Sequence, residues 1–147
     1  MQNRINKELH DLSQNPPENC SVSTVGDDIS HWRVNIVGPQ GTPYEGGNFV
    51  LAISIPANYP FRAPDARFET RIYHPNVKSD DGSICAEIYQ SNWAPTRNIR
   101  FIIETIMSVM INPAPEHAVE NEIATLVLNN YSQFEANARQ WVNQYAR

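Results

Sequence analysis

The chain has 147 residues, 41% of them hydrophobic and 10% aromatic, and a formal charge of −5 at pH 7. Residues 1–147 read as one domain, large enough to bury roughly 68–70% of the surface its unfolded chain would expose, so a core needs neither metal nor disulfide. The acidic balance argues against general affinity for DNA or RNA, which takes a basic patch, and no apolar run approaches the ~18 residues of a membrane span.

Met1–Leu12 is polar and mixed in charge, unlike a secretory signal. The period of Ile5, Leu9 and Leu12 predicts a helix over 1–13, with Arg4 and Lys7 on one face, and Pro16-Pro17 stops it. Alternation at Trp32, Val34 and Ile36, and again at Phe49, Leu51, Ile53 and Ile55, predicts two strands joined across the turn-rich Gly38–Pro43. Cys20–Val25 and Ala66–Glu69 are weaker strand candidates, giving a four-stranded antiparallel meander packed on one face. Residues 71–98 carry Pro75, Gly82 and Pro95 without a sustained period; so long an irregular stretch in a compact domain is usually functional. Ile99, Ile102, Ile103, Ile106, Met107 and Met110 then repeat at helical spacing until Asn112-Pro113. A second helical pattern covers Glu120–Asn130. Ser132-Gln133-Phe134-Glu135 reads as a capping box opening a last helix, with Phe134, Ala138, Trp141, Val142 and Tyr145 as its apolar stripe. The fold class is α+β, an antiparallel sheet with helices grouped at its ends.

Chemistry points to the irregular stretch. Cys85 ends the run Asp81-Gly82-Ser83-Ile84-Cys85, and Tyr73-His74-Pro75-Asn76 lies upstream. A histidine can activate a thiol, so one reading pairs Cys85 with His74; another leaves Cys85 a small buried hydrophobe. Spacing alone does not choose. Cys20, in the first strand, is read as structural. Two widely separated cysteines in no zinc spacing imply a reducing compartment, cytoplasm or nucleus, and no bound metal.

The order and spacing of Tyr59-Pro60-Phe61 with Pro64, His74-Pro75-Asn76, Gly82-Ser83-Ile84-Cys85, Trp93-Ala94-Pro95 and Asn112-Pro113 resemble the ubiquitin-conjugating enzymes over essentially the whole chain, nearest to their small, broadly acting group. The resemblance implies the family's fold. It implies that Cys85 takes ubiquitin as a thioester from a separate activating enzyme, which uses ATP, so no cofactor is expected on this chain. The acyl group then passes to a lysine of a substrate protein, or to a cysteine on a ligase, with RING-type or HECT-type ligases as partners; no nucleic acid or membrane is expected. Asn76 becomes the oxyanion candidate, with bracing of its loop as the other reading, and His74 a residue of the site loop. Phe61, Ala94 and Pro95 become a ligase-binding patch, with Arg4 and Lys7 a basic face for the activating enzyme and some ligases. Ser21 falls where some relatives hold a second ubiquitin non-covalently. The alternative function is a non-catalytic module of the same fold that binds ubiquitin or a ligase.

Three positions depart from the family's pattern. His117 stands where relatives often place an acid to position the incoming lysine, and in its protonated form it would repel that ammonium. Glu87, two residues past the thiol, replaces a shorter aspartate. Glu104 sits where relatives are often apolar, on the face that holds the donor ubiquitin.

Overall fold

Residues 2–147 are described by a computed structural model; Met1, included in the helix expected from the sequence, lies outside the described residues. The first helix, α1 (Gln2–Gln14), buries Ile5 and Leu12. Four strands follow, β1 (Cys20–Val25), β2 (Asp28–Val37), β3 (Asn48–Ser54) and β4 (Asp65–Phe68), antiparallel and in the order β1-β2-β3-β4.

Because side chains alternate along a strand, register builds rows across the sheet. Val22 faces Val34, Val34 faces Leu51 and Leu51 faces Phe68, while the neighbouring row runs Trp32, Ile53, Ala66. These rows form the buried face, and they join one apolar cluster with Ile99, Ile102, Ile103, Ile106 and Met110. Those five residues line one side of α3 (Ile99–Ile111), which starts where the Asn98 side chain accepts the Phe101 N–H at 2.9 Å. The other face of the sheet carries Ser21, Ser23, Arg33 and Arg67, as an antiparallel sheet solvated on one side should.

The long irregular stretch contains one element that its sequence does not announce. Ala86–Tyr89 form a single helical turn, α2, with Ile88 and Tyr89 buried. One turn is too short to display a period, so only tertiary packing reveals it. After α3 come a 3-10 turn (Pro115–His117), α4 (Asn121–Asn129) and α5 (Tyr131–Tyr145). The expected capping box at Ser132 does not form. Asn130 is the cap instead: its side chain accepts the Gln133 N–H at 3.3 Å while its own N–H closes α4 on Leu126. Asparagine is as good an N-cap as serine, and here one residue ends one helix and starts the next. Glu135, freed from the box, pairs with Arg139 at 3.6 Å. Among the described residues no helix is long and apolar enough to cross a membrane.

Candidate active site

Gly82 seats the loop that carries Cys85. Its φ of +78° is left-handed, and a Cβ there would lie 1.9 Å from the Phe68 carbonyl oxygen at the end of β4. Only glycine meets both demands. The approach lets the Phe68 N–H donate to the Gly82 carbonyl at 2.9 Å, and isolated bridges join Arg67 to Ser83 and Val77 to Ile84. Cys85 is next, its N–H on the Asn76 carbonyl at 3.1 Å and its own carbonyl accepting from Ile88 at 3.0 Å. The thiol-bearing residue is thus half-buried at the head of α2, on backbone held from both sides.

His74 is not placed to activate it. The ring is buried; Nε2–H donates to the Val109 carbonyl of α3 at 2.8 Å, and Nδ1 accepts the Asn76 N–H at 3.0 Å. Burial pushes its pKa down from 6.5 to about 4, against the opposing pull of the Val109 bond. A neutral imidazole with both nitrogens occupied serves as a strut, and the thiol–imidazole pair that spacing alone left open is not formed.

Asn76 is also fully buried. Its Nδ2 donates to the carbonyls of Ala114 at 2.7 Å and His117 at 3.1 Å, and its Oδ1 accepts the Ala114 N–H at 2.9 Å. Both amide protons are committed, so in this arrangement neither points at an oxyanion. The bracing is reinforced on each side. The Pro75 carbonyl accepts from Val119 at 2.9 Å and Glu120 at 3.1 Å, and the Glu120 carboxylate accepts from the Ser79 N–H and hydroxyl at 2.8 and 3.0 Å. Segment 114–120 is thereby fixed beside the Cys85 loop. Glu120, three dozen residues and more from Ser79, left no trace in the sequence pattern.

The fixed segment brings two of the departing residues together. His117 Nδ1 lies 2.9 Å from Glu87 Oε2, with the side chains 40% and 68% exposed. Glu104 is exposed on α3. It also bears on Cys20, whose thiol is pushed up to about 11 by burial first and by that carboxylate second. With its Sγ 3.1 Å from Met107 Sδ, Cys20 is packed rather than reactive.

Phe61 is 78% exposed, the largest exposure among the bulky apolar side chains of the described residues, on the loop before β4. Trp93 braces that loop from beneath, donating Nε1–H to the Pro60 carbonyl at 2.8 Å with its ring 5.8 Å from Tyr59. Pro95 is exposed and Ala94 half-buried on the facing loop. Arg4 is not spread on an open basic face. Its guanidinium donates to the carbonyls of Pro95, at 2.8 Å, and of Arg97, and its carbon lies 5.3 Å from the centre of the Tyr59 ring. Lys7 remains exposed, and Ser21 is exposed on the outer face of β1 opposite Asn35.

The family model for ubiquitin-conjugating enzymes matches residues 4–142. Among solved structures, a ubiquitin conjugating enzyme E2 domain from Toxoplasma gondii is 39% identical, with 100% of each chain covered and a TM-score of 0.91. A protein from Plasmodium yoelii assigned as a ubiquitin conjugating enzyme is 34% identical over 99% of this chain and 94% of its own, with a TM-score of 0.92. With the α+β architecture of those relatives and a match running from α1 into α5, the chain belongs to the ubiquitin-conjugating enzyme family.

Proposed function

We propose that Cys85 accepts the C-terminal carboxyl of ubiquitin as a thioester from the activating enzyme, and hands it to a lysine of a substrate protein or to a cysteine of a ligase. The observation that carries this reading is the half-buried Cys85 on a loop clamped at Gly82, Asn76 and Ile88. A thiol suits the task, because one thioester exchanges for another at little cost while aminolysis to an amide runs downhill. Thiols are intrinsically strong nucleophiles even when mostly protonated, so a packed histidine is no obstacle. Asn76 serves by holding Ala114 and His117 beside the thiol; it would meet a tetrahedral oxygen only after releasing one of them.

Phe61 and Pro95 form the docking patch for a ligase, RING-type or HECT-type, with an exposed aromatic as its anchor. Lys7 offers a charge to the activating enzyme, and Ser21 marks the outer sheet face as a place for a second ubiquitin. Two free cysteines suit the cytoplasm or nucleus.

One gel tests the reading. Incubated with activating enzyme, ubiquitin and ATP, the chain should show a band one ubiquitin larger that vanishes with reductant and never forms without ATP. No such band, with ubiquitin or a ligase still bound, would make the chain a binding module of the same fold.

A further inference from the structure

The sheet has two edges, and only one of them is guarded. Edge strands are kept from pairing with other chains by shortness, charge, proline, bulges or a covering segment. β4 runs for 4 residues, carries Asp65 and Arg67, and is bridged by Ser83 of the site loop. β1, at the other edge, runs for 6 residues, Cys-Ser-Val-Ser-Thr-Val, with no charge, proline or glycine. Its one irregularity, between Thr24 and Val25, falls at its end.

The ladder fixes which main-chain groups face outward. The Val37 N–H donates to the Asn19 carbonyl at 2.9 Å, and Cys20 stands opposite Ile36 and Ser21 opposite Asn35. Antiparallel strands bond at every second residue, so Asn19, Ser21 and Ser23 bond to β2 while Cys20, Val22 and Thr24 turn the other way. The Cys20 N–H is taken by the Pro17 carbonyl at 3.0 Å. The N–H and carbonyl of Val22 and of Thr24 have no protein partner among the described residues. On the core side Val22 and Thr24 are half-buried, and Val22 packs against the core from its rim; on the outer side Ser21 and Ser23 are exposed. Acids stand at both ends, Glu18 before the strand and Asp27 in the turn after it, both exposed. The cation beside the strand, Arg33 opposite Ser23, is paired with Glu69 at 3.0 Å.

We propose that the β1 edge is a docking site for an extended segment of a partner protein, added to the sheet as a further antiparallel strand. That segment is uncharged in its middle, apolar at the residues opposite Val22 and Thr24, and basic at each end. Main-chain bonds to Val22 and Thr24 supply the affinity, and alternate side chains the selectivity. A second copy of this chain is a poor occupant, because pairing about Ser23 brings the Asp27 turn of each copy to the Glu18 end of the other. β1 and β4 are opposite edges, so the occupant stays clear of the Cys85 loop. It also uses main-chain groups at the rim of the sheet, not the outer face that carries Ser21.

The probe is a blocked peptide, acetyl-Lys-Thr-Val-Ser-Val-Thr-Lys-amide, titrated into the full chain and followed by amide exchange. On binding, the amides of Val22 and Thr24 should gain protection, while those of Ser21 and Ser23, already bonded to β2, should change little. N-methylation of both peptide valines should weaken binding about tenfold, as expected for two lost main-chain bonds. N-methylation of the peptide serine, whose N–H faces away, should not. Glutamate in place of both lysines should weaken binding about threefold at low salt and less at high salt. Thr24→Pro removes one outward N–H without touching the β2 ladder and should weaken binding too; the peptide variants decide the matter even where that protein fails to fold. Protection spread evenly along β1 or absent from it, or undiminished binding of the valine-methylated or the glutamate peptide, would overturn the proposal. So would self-association of the chain that Thr24→Pro abolishes, which would give the edge to a second copy.

Discussion

His74 shows how a single side chain ties the site loop to the core. Unfolded, an imidazole takes its proton near pH 6.5, while in the folded chain burial holds the His74 pKa at about 4. Between those values the unfolded chain binds more protons, so folding stability falls as pH falls. The contribution is fully present above about 6.5 and is lost on the way down to about 4, an effect on the order of 3 kcal/mol. Denaturant unfolding measured from pH 7.5 to 4 should show this slope, and His74→Gln should flatten it even where it lowers stability overall. An unchanged slope would mean that the buried imidazole is not the group responsible. At this scale the sequence is legible only in part. The order His74, Pro75, Asn76, Cys85 marks one loop as chemical, yet the engagement of both His74 nitrogens and both Asn76 amide protons depends on Val109, Ala114 and His117, which arrive from far along the chain. Residue types alone announce donors and acceptors without saying where they are used.

Among the elements, α1 does more than its apolar stripe reveals. Ile5 and Leu12 could be read as buried from their spacing, and they are. Glu8, one turn from Arg4, could not be read. Its carboxylate accepts Arg4 Nε at 3.0 Å, the Tyr59 hydroxyl at 2.6 Å and the Ile99 N–H at the start of α3 at 2.8 Å. Together with the Arg4 bonds to Pro95 and Arg97, this joins α1 to both loops of the apolar patch. Charge-assisted bonds of this kind are the stronger ones. Arg4→Ala should therefore lower unfolding stability by about 1 kcal/mol and weaken ligase-stimulated discharge by loosening the Pro95 loop. Phe61→Ala should weaken discharge through loss of the anchor, commonly over ~1 kcal/mol of binding, with the melting temperature almost unchanged because the ring is 78% exposed. Both variants are checked by calorimetry alongside discharge with and without ligase. A ligase defect in Phe61→Ala matched by an equal loss of stability would remove the ring from the docking surface.

For the molecule as a whole, one sheet face and α3 supply a rigid floor over which residues 71–98 are draped. The meander was legible because alternation at Trp32, Val34, Ile36 and at Phe49, Leu51, Ile53 is a period-two signal repeated in consecutive strands. The draped stretch has no period, which is why α2 and the Glu87–His117 meeting were not. That stretch carries both the Cys85 loop and the Ala94–Pro95 loop, with α2 between them pinned by Tyr89, whose hydroxyl accepts the Ala66 N–H of β4 at 3.1 Å. The thiol and the Ala94–Pro95 half of the apolar patch therefore hang from one connected piece of chain, while Phe61 comes from the loop before β4. The central claim is that this piece carries an acyl group on Cys85, and the most direct measurement is the intact mass of the unaltered protein and of Cys85→Ser after incubation with activating enzyme, ubiquitin and ATP. Serine is nearly isosteric with cysteine, and an alkoxide leaves less readily than a thiolate. The account predicts a ubiquitin adduct on both proteins, released by reductant from the first, and from the second only by hydroxide. A Cys85→Ser protein whose adduct is still released by reductant, or which turns over normally, would contradict it and place the acyl group elsewhere.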